Sequence, residues 1–248
     1  MIKTVSWRVL RKRRVNFVVC VVLFFVVTQF GPALFADVEP TNEQPNVLSQ
    51  TDLDPSIETA RAADVLSNIP TKGRAPKTGY TRSEFSDGWA NVGSCDMRNI
   101  ILQRDLQEAQ LGSDECVVVR GTLHDPYTNK VVAFVRGSDT SDDVQIDHVV
   151  ALSDAWQKGA QRLSAQDRFA FANDPLNLLA VDGDANQQKG DSDAASWLPD
   201  KTYRCRYVAR QIAVKKKYNL WVTSAEHDAM LRTLNSCPDQ PLPVEVVQ

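Results

Sequence analysis

The sequence predicts an α+β fold, and two kinds of pattern support this class. Two runs rich in β-branched residues, 116–123 and 130–137, are separated by HDPYTN, whose aspartate, proline and asparagine favour a turn. Residues 203–218 instead carry apolar side chains at approximately helical spacing, and Thr223-Ser-Ala-Glu226 is a capping box that opens a further helix. Strands are therefore expected in the middle of the domain and helices at its end.

The N-terminal 36 residues have the pattern of a secretory signal. Six lysines and arginines lie within the first fourteen residues, an apolar stretch follows over residues 15–27, and Ala33 and Ala36 offer a cleavage site. A retained membrane anchor is the alternative, because the stretch counted through Phe35 has about the ~20 residues that cross a bilayer. We expect a secreted protein, or else a membrane-anchored one with an extracellular domain.

Residues 37–76 are polar and contain five prolines, which is typical of a flexible linker. A short helix is possible around residues 57–66. The folded domain is predicted over residues 77–248, where dense aromatic spacing begins at Tyr80.

Within this domain, residues 98–110 have helical spacing of apolar side chains, and Gly112 is a plausible stop. The hairpin predicted over residues 116–137 comes next. The remaining predicted elements are a strand over 144–150, helices over 152–160 and 164–172, a strand over 176–181, and a turn entering a short helix over 182–190. The expected architecture is a small hairpin and helix surrounded by further helices.

Cysteine usage agrees with export. Cys20 lies in the apolar leader, and four further cysteines remain in the domain, with no C-x-x-C spacing that would favour structural zinc. Of the three possible connectivities we favour Cys95–Cys116 and Cys205–Cys237, because each closes a local loop. Each bond would contribute on the order of 3 kcal/mol by the loop-entropy estimate.

The charge balance bears on the class of partner. The whole chain has a formal charge of −3, and loss of the six leader cations leaves −9. Nucleic-acid binders usually draw affinity from phosphate neutralisation, so this total is unfavourable unless a local basic face or a bound cation acts against it.

One constellation of residues carries chemistry. Asp147 and His148 are adjacent in VQIDHVVAL, Asn177 follows in DPLNLLAV, and Asn186 precedes a lysine and a glycine in GDANQQKGD. An imidazole activates water, and oxygen ligands beside it hold a hard cation against a phosphate. If these four side chains converge, the chain has the parts of a metal-dependent phosphodiesterase.

The order of these residues resembles that of HNH (His-Me finger) endonucleases. Four longer segments further resemble an exported bacterial subfamily of HNH proteins, which is often described only as a domain of unknown function. These segments are DPYTNK, DHVVALSDAWQKGA, NDPLNLLAVDGDANQQKGDSDAASWLP and YRCRYVAR. The resemblance covers about residues 80–237. It implies a ββα-metal core, made of a hairpin and a short helix, within an HNH nuclease domain spanning residues 77–248.

The resemblance also implies roles for single residues. His148 would be the general base, and Asn177 would orient its loop by hydrogen bonding. Asp147 and Asn186 would bind one divalent cation, Mg²⁺ first and Mn²⁺ or Ca²⁺ as alternatives, because a carboxylate and an amide are hard oxygen ligands. Lys189, one turn beyond Asn186, is a candidate phosphate contact.

Arg136 is a second, weaker candidate for phosphate contact, because it ends the run just before the site strand. Two positions depart from the family pattern: Ala151 stands where many HNH sites have proline, and Asn186 stands where others have histidine. Neither removes a group that the chemistry needs.

The implied function is an exported, metal-dependent endonuclease that contacts nucleic acid through its backbone. DNA is the expected substrate and RNA an alternative, and low sequence specificity is expected because no DNA-reading motif accompanies the site. Two other readings stay open: a catalytically inactive extracellular binding or adhesion module on the same fold, and a secreted hydrolase of another phosphodiester or of cell-wall material.

Overall fold

A computed structural model of the protein describes residues 60–138 and 140–243. These residues form a mixed α+β structure with small antiparallel sheets and two disulfides, which confirms the predicted fold class. The predicted signal or anchor over residues 1–36 lies outside the described residues. Among those described, no helix has the length and apolar character that a bilayer crossing requires.

The described residues contain seven α-helices and seven strands. The helices are α1 (Ala62–Leu66), α2 (Met97–Asp105), α3 (Leu152–Gln157), α4 (Ala165–Ala172), α5 (Gly183–Lys189), α6 (Arg204–Lys217) and α7 (Ser224–Leu234). The strands are β1 (Asn91–Val92), β2 (Cys95–Asp96), β3 (Leu106–Leu111), β4 (Val118–His124), β5 (Val131–Val135), β6 (Val144–His148) and β7 (Leu178–Asp182). Short 3₁₀ turns cover Arg82–Glu84, Ser141–Asp143 and Ala160–Arg162.

The strands form three separate antiparallel sheets. β1 pairs with β2, β3–β4–β5 form a three-stranded sheet, and β6 pairs with β7. The predicted hairpin is β4–β5, with Asp125 at its turn accepting hydrogen bonds from the backbone and hydroxyl of Thr128 at 2.7 and 2.6 Å. The sequence-level turn chemistry therefore predicts this element correctly.

The helix predicted over residues 98–110 is shorter in the structure. α2 ends at Asp105, and the following residues form β3, in which Leu106 pairs with Leu123 of β4. Leu106 is buried in that register. The local helical spacing is overridden here by pairing with a strand that lies more than ten residues away in sequence.

Helix caps agree with the sequence. Ser164 Oγ accepts a hydrogen bond from the backbone of Asp167 at 3.1 Å and opens α4. Thr223 and Glu226 make both hydrogen bonds of the capping box that opens α7. These three side chains satisfy amide groups that the start of a helix leaves without a partner.

The segment predicted as a linker over residues 37–76 is described from residue 60 onward. There α1 buries Ala62 and Leu66 in the cluster that also contains Tyr207 and Met230 of the C-terminal helices. Residues 60–76 are thus packed against the fold, although their composition is that of a linker. A small number of well-placed apolar residues is enough to dock a proline-rich segment.

Two disulfides fasten the periphery. Cys95–Cys116 links β2 to the segment before β4, and Cys205–Cys237 links α6 to the residues after α7. This is the connectivity that the local loops favour.

The β6–β7 pair lies at the centre of the described structure. α5 begins directly after β7 and packs on both strands, and apolar clusters lie on either side of the pair. Asp147 pairs with Leu179 and His148 with Leu178 in the β6–β7 register. Asp147 and His148 thus sit on a buried strand of the domain, Asn177 directly precedes its partner strand, and Asn186 lies on the helix that follows.

Candidate active site

His148 is the last residue of β6 and is buried. Adjacent strand residues point to opposite faces, so Asp147 and His148 can share one cavity only if the strand ends or bends there. β6 ends at His148, and both residues border the same cavity of about 300 Å³, together with Asn186. The structure therefore brings these three predicted residues together.

The imidazole of His148 is held on two sides. Its Nε2 lies 2.8 Å from the carbonyl oxygen of Ala172 at the end of α4. Because a carbonyl only accepts, Nε2 carries the proton and Nδ1 keeps a lone pair in the neutral ring. The indole of Trp89 stacks on the ring, with centroids 5.9 Å apart and planes inclined by 12°.

The protonation state of His148 follows from burial. The pKa of this imidazole is lowered from 6.5 to about 3, chiefly by desolvation; the bond to Ala172 opposes the shift, and the charges of Arg82 and Lys189 add to it. The ring is therefore neutral at physiological pH. A neutral imidazole with one committed nitrogen can accept a proton only at Nδ1.

Asn177 is fully buried and ties the segment after His148 to the rest of the site. Its Oδ1 accepts from the backbone of Val150 at 2.8 Å, and its Nδ2 lies 3.3 Å from the Val150 carbonyl oxygen. Its own carbonyl oxygen accepts from the backbone of Val149 at 2.8 Å. The asparagine thus orients the chain that leaves β6 and does not border the cavity.

The carboxylate of Asp147 has a donor at each oxygen. The Tyr127 hydroxyl donates to Oδ2 at 2.5 Å, and the Lys189 ammonium donates to Oδ1 at 2.9 Å. Burial raises the pKa of Asp147, whereas Lys189 and Tyr127 oppose that shift. The carboxylate is therefore balanced by a buried cation.

Lys189 is fully buried, and its ammonium donates to the carbonyl oxygen of His148 at 3.0 Å as well as to Asp147. In this arrangement it joins α5 to β6. A contact with a substrate phosphate would require the ammonium to leave both acceptors.

Asn186 lies on α5 at the edge of the cavity. Its Nδ2 donates to Gln145 Oε1 at 2.9 Å, and Gln145 borders the same cavity. This bond fixes the amide so that Oδ1 is the atom left without a hydrogen bond from the described residues. An oriented amide oxygen is a suitable ligand for a hard cation.

The donor set fits a divalent cation in chemical type. Asp147 and Asn186 supply oxygens, and each carboxylate oxygen keeps a lone pair beyond the bond it accepts. Within the part of the chain that the structure describes, no group of three or more histidine, cysteine, aspartate or glutamate side chains is placed to hold a metal ion. A cation here would depend on amide oxygens and water as well as Asp147, and it would be repelled by Lys189.

Arg136 is not brought to the site. Its Nε donates to the Val118 carbonyl oxygen and a terminal nitrogen donates to Asn99 Oδ1, both at 2.7 Å. The guanidinium is thus committed to holding α2 against β4.

Sequence reasoning missed four contributors to the site, and all of them act through position in the fold. Trp89 stands out in sequence only as one of several aromatics, and the Ala172 contact is made by backbone, which no side-chain pattern reveals. Tyr127 belongs to DPYTNK, a motif of the resemblance, but its bond to Asp147 has no local sequence signal. The fourth is Arg82, which borders the cavity of Asp147 and His148.

A family model describing the C-terminal domain of GmrSD restriction endonucleases, which is HNH-type, matches residues 96–233. The chain belongs to this family. The matched residues include all four predicted site residues, Asp147, His148, Asn177 and Asn186.

One relative is similar over nearly its whole length. An uncharacterized secreted protein of Arthroderma benhamiae is 34% identical over 216 residues, which is 86% of this chain and 98% of the relative. The similarity therefore extends over most of both chains, and that relative is described as secreted. The family match points to a nuclease-type domain.

Proposed function

We propose that the protein is an exported, metal-dependent endonuclease that hydrolyses phosphodiester bonds of DNA, or of RNA, with low sequence specificity. The observation that carries this proposal is the state of His148: a buried, neutral imidazole whose Nε2 is committed to Ala172 and which shares a cavity with Asp147 and Asn186. Membership of an HNH-type endonuclease family supports it.

In the proposed reaction, His148 Nδ1 takes a proton from water as the water oxygen attacks phosphorus. The new P–O bond forms while the bond to the leaving oxygen breaks, and that oxygen takes a proton from solvent. Asn177 and the Ala172 carbonyl keep the imidazole in the required orientation and tautomer. A positioned base of this kind contributes roughly 10²–10⁴-fold in rate.

Asp147 and Asn186 are the residues that would hold the cation, within a ββα-metal core formed by β6, β7 and α5. When bound, a divalent cation supplies positive charge to the phosphate and the leaving oxygen. Lys189 opposes the rise in the pKa of Asp147 that burial causes, and it holds the carboxylate in place by pairing with Oδ1 inside the fold.

Export is part of the proposal and rests on three observations. The N-terminal residues have the pattern of a signal sequence, the relative from Arthroderma benhamiae is described as secreted, and two disulfides are formed. Disulfides of this kind persist in oxidising compartments.

A catalytically inactive binding module on the same fold is the second candidate. One observation favours it: each carboxylate oxygen of Asp147 already accepts a hydrogen bond, one from Tyr127 and one from Lys189. The negative charge of Asp147 is therefore compensated by Lys189 without a metal ion. Metal dependence of cleavage distinguishes the two candidates.

The test is cleavage of supercoiled plasmid and of structured RNA by the purified protein, with Mg²⁺, Mn²⁺ or EDTA. We expect nicking with Mg²⁺ or Mn²⁺ and none with EDTA. Asn186→Ala should raise the Mg²⁺ concentration for half-maximal cleavage by at least ~10-fold, the scale of perturbed metal sites. Gln188→Ala, on the same helix but not bordering the cavity, is the matched control.

Two outcomes would contradict this proposal. Cleavage that proceeds equally in EDTA excludes the cation, and an absence of cleavage under all conditions favours the binding module.

A further inference from the structure

We propose that Arg82 binds a backbone phosphate of the nucleic acid beside His148. This inference rests on the proposed function, since it names the group that anchors the same substrate. Arg82 lies in a 3₁₀ turn ahead of residues 96–233, so the family match does not cover it.

Arg82 lies beside the same cavities as His148. His148 borders two cavities, one of about 420 Å³ beside Trp89 and one of about 300 Å³ beside Asp147 and Asn186. Arg82 borders both cavities as well.

The guanidinium of Arg82 is available to bind a ligand. Arg82 is exposed, and among the described residues no hydrogen bond or ion pair engages its guanidinium. Two other arginines of the domain are committed: Arg98 donates to the carbonyl oxygens of Ser141 and Val144, and Arg168 donates to that of Glu84. Arg82 therefore brings unused donors and an uncompensated charge to the cavities.

The backbone that carries Arg82 is held in place. Phe85, three residues later, is buried and packs edge-on against Trp156 with ring centroids 6.2 Å apart. Arg168 fastens the turn through the Glu84 carbonyl at 2.7 Å, and Phe85 N–H donates to the Arg82 carbonyl at 3.0 Å. An exposed side chain on a fixed turn meets a ligand without reordering the backbone.

The donor geometry and the charge of the Arg82 guanidinium favour a phosphate group as its ligand. A guanidinium presents five N–H donors in a planar fork that matches phosphate oxygens, and it stays charged at all relevant pH values. The domain without its leader is strongly acidic, so a local unpaired cation is needed where a polyanion approaches the base. Placement beside both cavities suits a strand that passes over His148.

The test measures binding separately from cleavage. A fluorescein-labelled DNA duplex is titrated by anisotropy against the His148→Ala protein over a range of salt, with Arg82→Ala or Arg82→Lys added. We expect Arg82→Ala to raise Kd about tenfold or more, the scale of a lost hydrogen bond to a charged group, and to reduce the log–log salt slope by about one. Arg82→Lys should keep the slope and bind with intermediate affinity, because it keeps the charge but loses the fork.

Arg120→Ala is the matched control, because Arg120 is an exposed arginine on β4 that borders neither cavity of His148. It should bind with the affinity and salt slope of its parent. In an otherwise wild-type background, Arg82→Ala should raise KM for cleavage more than it lowers kcat.

The outcomes separate the two proposals. Wild-type cleavage together with unchanged Kd and salt slope in Arg82→Ala overturns the role of Arg82 and leaves the nuclease intact. A wild-type protein that neither binds nor cuts nucleic acid overturns both.

Discussion

At the residue scale, the chemistry of His148 depends on contacts that belong to other parts of the chain. The Ala172 carbonyl fixes the tautomer, Trp89 covers one face, and Asn177 holds the segment that follows. An imidazole that moved freely would lose both its orientation and its burial. The catalytic proposal therefore depends on a buried amide as much as on the histidine.

Asn177→Ala tests this dependence. The substitution leaves the Val150 N–H buried without its acceptor, which costs about 1–3 kcal/mol of unfolding free energy. Cleavage measured well below the melting temperature should also fall, because the His148 segment is released. Urea unfolding and plasmid nicking check the two effects, and an Asn177→Ala protein with wild-type stability and rate would contradict this role.

At the scale of single elements, the contact between β6 and α5 is made by a buried ion pair. Lys189 is the last residue of α5, and its ammonium meets both Asp147 and the backbone of His148. Removal of one partner from such a pair leaves the other charge buried and unpaired, whereas removal of both partners leaves no unpaired charge.

Lys189→Met should therefore lower the unfolding free energy by about 3–5 kcal/mol. The double variant Asp147→Asn/Lys189→Met should recover part of this loss, because the stranded carboxylate is gone. Denaturant unfolding of the two single variants and the double variant measures the coupling. Strictly additive effects would show that the pair contributes nothing specific.

At the scale of the whole molecule, a buried ionic network joins the N-terminal segment to both C-terminal helices. Lys158 is fully buried and lies within 2.7 Å of carboxylate oxygens of Asp154, Asp193 and Glu226. The members of the network are three carboxylates and three cations: Asp154, Asp193, Glu226, Arg74, Lys158 and Lys215. The formal charges of the three carboxylates and the three cations therefore balance.

The network makes stability depend on pH through Asp193. Burial raises the pKa of this carboxyl, but Lys158 and Arg74 lower it more, so the pKa lies below its ordinary value of 3.8. Because the folded pKa is depressed, the stabilisation is present above about pH 4 and is lost as the pH falls through the folded pKa.

Asp193→Asn should flatten this acid dependence. The wild-type unfolding free energy should fall steeply below about pH 4, and the variant, though less stable at neutral pH, should fall less steeply there. Urea unfolding between pH 5 and 2.5 measures both slopes. Asp184→Asn, at an exposed aspartate without an ion pair among the described residues, should keep the wild-type slope; equal slopes in all three proteins would contradict the role of Asp193.

Much of this organisation was predictable where the determinants are local. The turn at Asp125, the caps at Ser164 and Thr223 and the order Asp147, His148, Asn177, Asn186 are all visible in sequence. The network was not, because Lys158 and Asp193 are separated by 35 residues and look like ordinary surface charges. The same reason hid Arg82, whose proposed role rests on the cavities that it borders.

The central claim is that His148 acts as the base, and single-turnover cleavage of a DNA duplex tests it most directly. His148→Ala should cut at least ~100-fold more slowly than the wild-type protein at equal Mg²⁺, the scale of a lost general base. Added imidazole should restore part of the rate in the variant and leave the wild-type rate unchanged. A His148→Ala protein that cuts at the wild-type rate would contradict the account.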